Sequence, residues 1–184
     1  MMSQVFVSGH KSPDTDSIAA ALSYSYLKRR LGMDAVAVRA GEINKESRFA
    51  LDYFNLEEPI LVTSVARKNP EDEKQKVILV DHNESKQTID GMDDAEVLEI
   101  IDHHRFGDFE SENPIFILVR PVGCVNTVIY GLYKTNHIKP SREIAGIMLS
   151  AIISDTVLFR SPTTTEEDKE TAKELAEIAG VDYE

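Results

Sequence analysis

Apolar positions along the chain follow two rhythms. Short runs of strand-forming residues occur at Val5–Val7, Ala35–Arg39, Ile60–Val62, Val77–Val80, Val97–Ile101 and Ile115–Val119. Elsewhere apolar residues recur at helical spacing. Ser17–Arg30 places Ile18, Ala21, Leu22 and Ser25 on one face, with Lys28, Arg29 and Arg30 in its last turn and Gly32 just beyond. Asn44–Phe54, Val125–Thr135 and Ser141–Ile153 read as further helices, the last with Ser141 as N-cap. A final helix opens at the capping box Thr165-x-x-Asp168 and stops at Gly180. Strands alternating with helices predict an α/β domain, a mostly parallel sheet with helices on both faces. The unbroken Val77–Val80 run suits a strand buried on both sides. Ala66–Lys76 is dense in charge, contains Pro70 and has no large apolar side chain, so a solvated surface loop is expected there.

A length of 184 residues fits one domain with a sizeable core. The formal charge of −12 argues against a nucleic-acid binder, which normally presents a basic face. Carboxylates that hold divalent metals are counted in that figure as bare charge. Cys124 is the only cysteine, which leaves no disulfide framework and no thiolate metal site and suits a reducing compartment. No apolar run approaches a membrane span, and the N-terminus lacks the pattern of a signal peptide. A cytoplasmic protein with neither nucleic-acid nor membrane partners is expected.

The chemistry lies where the apolar runs end. The first strand leads through Gly9 into His10, Asp14 and Asp16, and then into a helix. Asp14-Thr15-Asp16-Ser17 before an apolar run also has the form of a helix N-cap. Val77–Val80 runs into Asp81-His82-Asn83-Glu84, and Val97–Ile101 into Asp102-His103-His104-Arg105. Parallel strands would bring these clusters to one edge of the sheet, where open α/β sheets bind ligands. The strongly apolar helix Ser141–Ile153 leads into Ser154 and Asp155, and a buried aspartate there is costly unless paired or metal-bound. The candidate site is therefore Asp14, Asp16, Asp81 and Asp155 with His10 and His103. Four such carboxylates cannot all ionise without cations, and two divalent ions sharing one carboxylate would resolve the repulsion. Imidazole and carboxylate ligation favours Mn²⁺ or Co²⁺, and two-metal sites commonly serve displacement at phosphorus. His82 and His104 are read as supporting or substrate-contacting groups. His137 reads as a helix-end surface residue, and Cys124 as a packed small residue rather than a nucleophile.

These clusters resemble the DHH phosphoesterase superfamily, and within it the family II inorganic pyrophosphatases. The matching stretches are GHKSPDTDSI at Gly9–Ile18, VDHNE at Val80–Glu84, IDHHR at Ile101–Arg105, RPVGC at Arg120–Cys124 and AGIMLSAIISDTVLFRSPTTT at Ala145–Thr165. The resemblance implies that His10, Asp14 and Asp81 bind one metal, and that Asp16, Asp81, His103 and Asp155 bind the other, with Asp81 bridging. It implies that His104 contacts the substrate phosphate, with Asp102 behind it, so that His104 and Asp81 are the catalytic residues. It further implies two Mn²⁺ or Co²⁺ ions per chain, Mg²⁺ accompanying the substrate, and hydrolysis of pyrophosphate by a metal-bridging hydroxide without a phosphoenzyme. A homodimer formed through this domain is implied as well. Ser12 stands where asparagine is usual, and Arg160 where lysine is common.

Members of the family continue into a second domain that supplies a Ser-Arg-Lys-Lys motif and a further lysine for the phosphates. On this resemblance residues 1–184 are expected to be the DHH metal-binding catalytic domain, with the C-terminal substrate-binding domain absent and weak activity on their own. Only Ala66–Lys76 occupies the position where some members carry an inserted CBS pair, so no such module is expected. Two alternatives stand beside this expectation. One is a DHH-type phosphodiesterase acting on short oligonucleotides or cyclic dinucleotides, whose first motif tends to read Asp-Gly-Asp. The other is a non-catalytic, metal-loaded dimerisation domain.

Overall fold

The computed structural model describes residues 4–183. Its strands are β1 (Val5–Ser8), β2 (Ala35–Arg39), β3 (Ile60–Leu61), β4 (Lys76–Val80), β5 (Glu96–Asp102) and β6 (Phe116–Val119). Its helices are α1 (Thr15–Arg30), α2 (Lys45–Tyr53), α3 (Val125–Thr135), α4 (Arg142–Asp155) and α5 (Glu166–Ala179). Two 3₁₀ turns, Ser85–Gln87 and Met92–Asp94, lie between β4 and β5 and have no counterpart in the sequence pattern. The expected helices form where their caps lie. Asn44 and Ser141 cap α2 and α4, Thr165 and Asp168 form the capping box of α5, and Gly180 ends it in the left-handed conformation.

The six strands form one sheet in the order β3-β2-β1-β4-β5-β6, and every pairing is parallel. The chain builds outward from β1 through β2 to β3, then returns to lay β4 on the other side of β1. The topological switch point therefore falls between β1 and β4, where a crevice opens at the carboxyl ends of the strands.

Both faces are covered, but by different material. The main core joins one face of the sheet (Val5, Val7, Ile78, Val80, Ile101) to buried residues of all five α-helices. Ala19, Ala20 and Ala21 let α1 sit close to the sheet on one side and to α3 and α4 on others, since a methyl group keeps the backbones near one another. The opposite face (Phe6, Val36, Val77, Leu79, Ile100) packs against Val62, Val65, Ile89, Met92, Phe109 and Ile115, all from loops and 3₁₀ turns. The expectation of α-helices on both sides is thus met by α-helices on one side only. The segments facing the second side are rich in charged residues, proline and glycine, which favour loops and turns over helices.

An irregularity in β5 matters for the site. Val77 pairs with Val97 but Ile78 pairs with Glu99, so β5 carries one extra residue. A bulge of this kind flips the facing of everything after it. Glu99 consequently points to α1, where it accepts hydrogen bonds from Tyr24 Oη at 2.6 Å and Lys28 Nζ at 2.5 Å. Ile101 joins the helical core, and Asp102 and His103 leave the strand in the phase that brings them to the crevice. Ala66–Lys76, expected as a solvated loop, is largely exposed and is tied down by Arg67, whose backbone N–H and guanidinium Nε donate to Asp94 at 2.7 and 2.8 Å.

Candidate metal centre

The turn after β1 is tight because position 9 is glycine: a Cβ there would lie 1.8 Å from Ser17 Oγ. His10 N–H donates to that hydroxyl at 3.0 Å, which fixes the ring over the crevice. Asp14 is the N-cap of α1, its Oδ1 accepting from Ser17 N–H at 2.9 Å. The cap and the candidate ligand are one residue. His10 Nε2 lies 3.6 Å from Asp14 Oδ1 and 3.3 Å from Asp81 Oδ2.

Asp81 is the first residue past β4 and takes a left-handed backbone conformation, φ 63°. That conformation disfavours most side chains but is tolerated by aspartate. Its backbone N–H is held by Ile101 O at 2.9 Å. The carboxylate is 1% exposed, and neither oxygen has a hydrogen-bond partner. Oδ2 faces His10 Nε2 at 3.3 Å, and Oδ1 faces His103 Nε2 at 3.2 Å. The two oxygens thus turn to two different imidazoles.

His103 Nδ1 lies 2.9 Å from the Val122 carbonyl. A carbonyl can only accept, so Nδ1 carries the proton and Nε2 faces Asp81 and, at 3.5 Å, Asp16 Oδ2. Asp16 is buried and held from the side of α3 by three donors. Cys124 Sγ–H, Val125 N–H and Asn126 Nδ2–H donate to it at 2.8, 2.9 and 2.6 Å. Helix α3 has no capping side chain of its own, because Cys124 occupies its N-cap; the Asp16 carboxylate serves instead. His104 is half-exposed, with Nδ1 held by Asp102 Oδ1 at 2.8 Å, and Asp102 in turn accepts from Asn83 Nδ2 at 2.6 Å. Asp155, the last residue of α4, closes the arrangement beside Asp16.

Three sets of side chains among the described residues each bring one ligand atom per residue to within 4.8 Å of the others. They are His10, Asp14 and Asp81; Asp16, His103 and Asp155; and Asp81, His103 and His104. All seven residues singled out in the sequence therefore converge. Arg105 does not join them, since its exposed side chain turns to Glu84 at 3.1 Å. His82 is buried beneath the site with Nδ1 2.9 Å from Val80 O. Burial pulls its pKa down to about 4, so it is neutral. His137 sits past the end of α3, exposed, as expected.

Crowding shows in the titration of these groups. Burial disfavours the charged form of His10, but Asp14 and Asp81 outweigh it and push the pKa up to about 10. In the same way Asp81 and Asp16 overcome burial at His103 and raise it to about 9. Burial and the neighbouring Asp16 drive Asp155 far above the usual carboxylate range, and Asp81 is also raised, first by burial and then by Asp16. Burial above all, then Asp16 and Asp155, pushes the Cys124 thiol well up, so it is no nucleophile. A buried carboxylate whose oxygens make no hydrogen bond and face only two imidazoles, in a cluster of four aspartates, is costly, and divalent cations are what such a donor set fits. The mixture of carboxylate oxygen and imidazole nitrogen, with no thiolate facing in, suits Mn²⁺ or its neighbours.

Asn126, Asp168 and the Val122 carbonyl were not singled out in the sequence as part of the site. One signal was present: a helix opening at Val125 with cysteine at the cap position requires a capping group from elsewhere.

An α/β domain with paired carboxylate and imidazole clusters at the switch point of a parallel sheet is the class this geometry defines. The model described as the DHH family, N-terminal domain, matches residues 4–152, and the chain belongs to the DHH family. It is 53% identical over 183 residues to a protein of Exiguobacterium sp. named probable manganese-dependent inorganic pyrophosphatase. It is 50% identical over 183 residues to the manganese-dependent inorganic pyrophosphatase of Bacillus subtilis. Each match takes in 100% of this chain and 58% of the relative, so the chain spans well under two thirds of the proteins it resembles. Among solved structures, a Methanococcus jannaschii protein described as a putative family II inorganic pyrophosphatase superposes with a TM-score of 0.87 at 42% identity, over 98% of this chain and 58% of that one. An exopolyphosphatase-related protein of Bacteroides fragilis, at a TM-score of 0.70 and 20% identity, shares the fold, over 98% of this chain and 54% of that one.

The raised histidines give a pH dependence. His10 and His103 titrate at about 10 and 9 when folded, against 6.5 in a free side chain. The stability they contribute is complete below the unfolded value and is lost as pH rises through the folded ones. In chelator, the urea midpoint should therefore be lower at pH 10 than at pH 6.5, and saturating Mn²⁺ should offset the fall because metal replaces the protons. A chelated chain as stable at pH 10 as at pH 6.5 would contradict this account of the site.

Proposed function

We propose that residues 1–184 form the metal-binding catalytic domain of an inorganic pyrophosphatase and hold two Mn²⁺ or Co²⁺ ions. The observation that carries this reading is Asp81, buried and without a hydrogen bond, with one oxygen turned to His10 and the other to His103. In this assignment His10, Asp14 and Asp81 hold one ion, and Asp16, Asp81, His103 and Asp155 hold the other. Relatives at 50% identity or above are named for manganese and pyrophosphate, which supports the same metal and substrate here. Bound divalent ions supply a water made acidic enough to attack at neutral pH, together with neutralisation of phosphoryl charge. Mg²⁺ would accompany the pyrophosphate.

The chain's own residues do the rest. Val122 O and Asp16's donors hold His103 and Asp16 in place before substrate arrives, which reduces the reorganisation left for the reaction. Asp102 fixes His104 Nδ1–H and leaves Nε2 as the nitrogen free for a phosphate oxygen. The Asp102 carboxylate is also the first cause of the raised His104 pKa, ahead of the opposing effect of burial, and it favours a protonated ring that donates to an anion.

Association as a homodimer is supported by β6, an edge strand with Phe116 and Ile117 about half exposed. An open, apolar edge invites pairing with a second copy. A cytoplasmic location fits a single buried cysteine and the absence, among the described residues, of any helix long and apolar enough to cross a membrane.

The direct test is phosphate release from pyrophosphate with saturating Mn²⁺ and Mg²⁺, with Asp14→Ala as background. Asp14 and His104 are half-exposed at the site, and Arg105 is engaged by Glu84, so the described residues offer little cationic grip on both phosphates. Turnover roughly 10²–10³-fold below that of a full-length relative is expected, the size of loss that one missing electrostatic donor produces. Preference for a dinucleotide over pyrophosphate would overturn the substrate assignment. In calorimetric titration, Asp81→Ala should weaken both Mn²⁺ positions together; two ions bound as tightly as by the parent would exclude the bridging role. Sedimentation velocity at tens of micromolar, on the order of ordinary assay stocks, should show a dimer, and Phe116→Lys should shift it toward monomer. A monomer throughout would count against β6 as an interface.

A further inference from the structure

Two of the proposed ligands, His103 and Asp16, are set by one short stretch of chain. The Val122 carbonyl holds His103 Nδ1 at 2.9 Å. Cys124, Val125 and Asn126 donate to the Asp16 carboxylate. What holds that stretch is a residue from another helix. Asp168 Oδ2 accepts from Gly123 N–H at 2.9 Å, and its Oδ1 accepts from Thr127 Oγ1–H at 2.6 Å. One carboxylate thus grips both ends of the segment that orients two ligands. Position 123 must be small for this, since a Cβ there would lie 2.9 Å from Asp168 Oδ2 and 3.0 Å from Thr156 Cγ2.

Asp168 also serves the capping box of α5, accepting from Thr165 N–H and Oγ1–H at 2.7 Å each. Capping alone would not require burial. A helix N-terminus is satisfied as well by water, and an ionised carboxylate taken wholly out of water is costly unless each oxygen is occupied. Asp168 is fully buried, and the bonds beyond its own helix all run to the segment behind the site. Arg120, just ahead of that segment, is paired with Glu167 through two hydrogen bonds of 2.7 Å, so α5 fixes it at a further point.

We propose that Asp168 is a positioning residue for the metal position formed by Asp16, His103 and Asp155, acting through Val122–Thr127. This rests on the two-metal reading above. Groups behind metal ligands typically change affinity by about 10–100-fold when removed. Asp168→Asn replaces an acceptor with a donor that faces other donors, and should therefore weaken Mn²⁺ by about 10–100-fold at one position while leaving the other within about twofold.

The experiment is a two-site Mn²⁺ titration on the 184-residue chain, with thermal unfolding in chelator measured alongside. In a His103→Ala background, which leaves only the other position, Asp168→Asn should change nothing; in a His10→Ala background it should weaken the position that remains. Thr165→Ala, which removes the capping hydroxyl but leaves Asp168 on Gly123 and Thr127, should lower the unfolding temperature without altering either affinity. If Asp168→Asn does not fold, Thr127→Val removes one grip at nearly constant shape and should show the same one-sided weakening, several-fold in size on the scale of a single lost support. Equal weakening at both positions, no weakening, or a selective loss reproduced by Thr165→Ala would overturn the positioning role. A parent chain that takes up no Mn²⁺ would overturn the metal reading itself, and a parent that binds two ions keeps the two failures apart.

Discussion

Like charges resist being gathered, and this fold carries Asp14, Asp16, Asp81 and Asp155 to the same end of the same sheet. Each aspartate meets the repulsion differently. Asp14 keeps contact with solvent and rests on the positive end of α1. Asp16 is saturated by a thiol, a side-chain amide and the N-terminal amides of α3. Asp155 is pushed toward its neutral form by burial and by Asp16. Asp81 alone has no protein donor and stands between two imidazoles. The protein relieves part of the repulsion at three of the four, and at Asp81 only the two imidazoles do so.

That division explains why the surroundings are built as they are. β1, β4 and β5 lie side by side at the point where the strand order turns, so their ends arrive together without any long connection. The bulge in β5 then corrects the phase, because without the extra residue Asp102 and His103 would leave the strand on the opposite side. Helices α3 and α5 approach from behind and supply the donors. The sheet chooses which residues meet, and the helices decide how they are oriented.

Much of this was legible in the chain. Aliphatic runs ending in Asp and His clusters marked the strand ends, and the boundaries of α3, the cap of α4 and the capping box of α5 could be read from residue type alone. Those signals are local, and local chemistry is what a single sequence displays. What escaped was non-local. Whether the second face of the sheet carries helices depends on how the loops between β3 and β6 fold, and nothing periodic marks them. Asp168 presents itself in sequence as a cap and nothing more, because its bonds to Gly123 and Thr127 span more than forty positions. Asn126 likewise reads as an ordinary first-turn residue until Asp16 is brought to it. The choice posed by Asp14 between cap and ligand was never exclusive, since one oxygen suffices for the cap.

The chain just past Asp155 does something unusual. Val157, Leu158 and Phe159 follow one another in left-handed conformations, with φ of 51°, 51° and 63°. Residues with side chains pay about 1–2 kcal/mol apiece for that geometry, and the exposure of Val157 and Leu158 leaves little burial to compensate. A turn of opposite hand is a stop that a right-handed helix cannot creep past, so α4 cannot gain or lose a residue at this end and carry Asp155 with it. Glycines here would relax the turn, but they would also admit other endings for the helix and other places for its final carboxylate. The strained trio therefore trades local comfort for a single address.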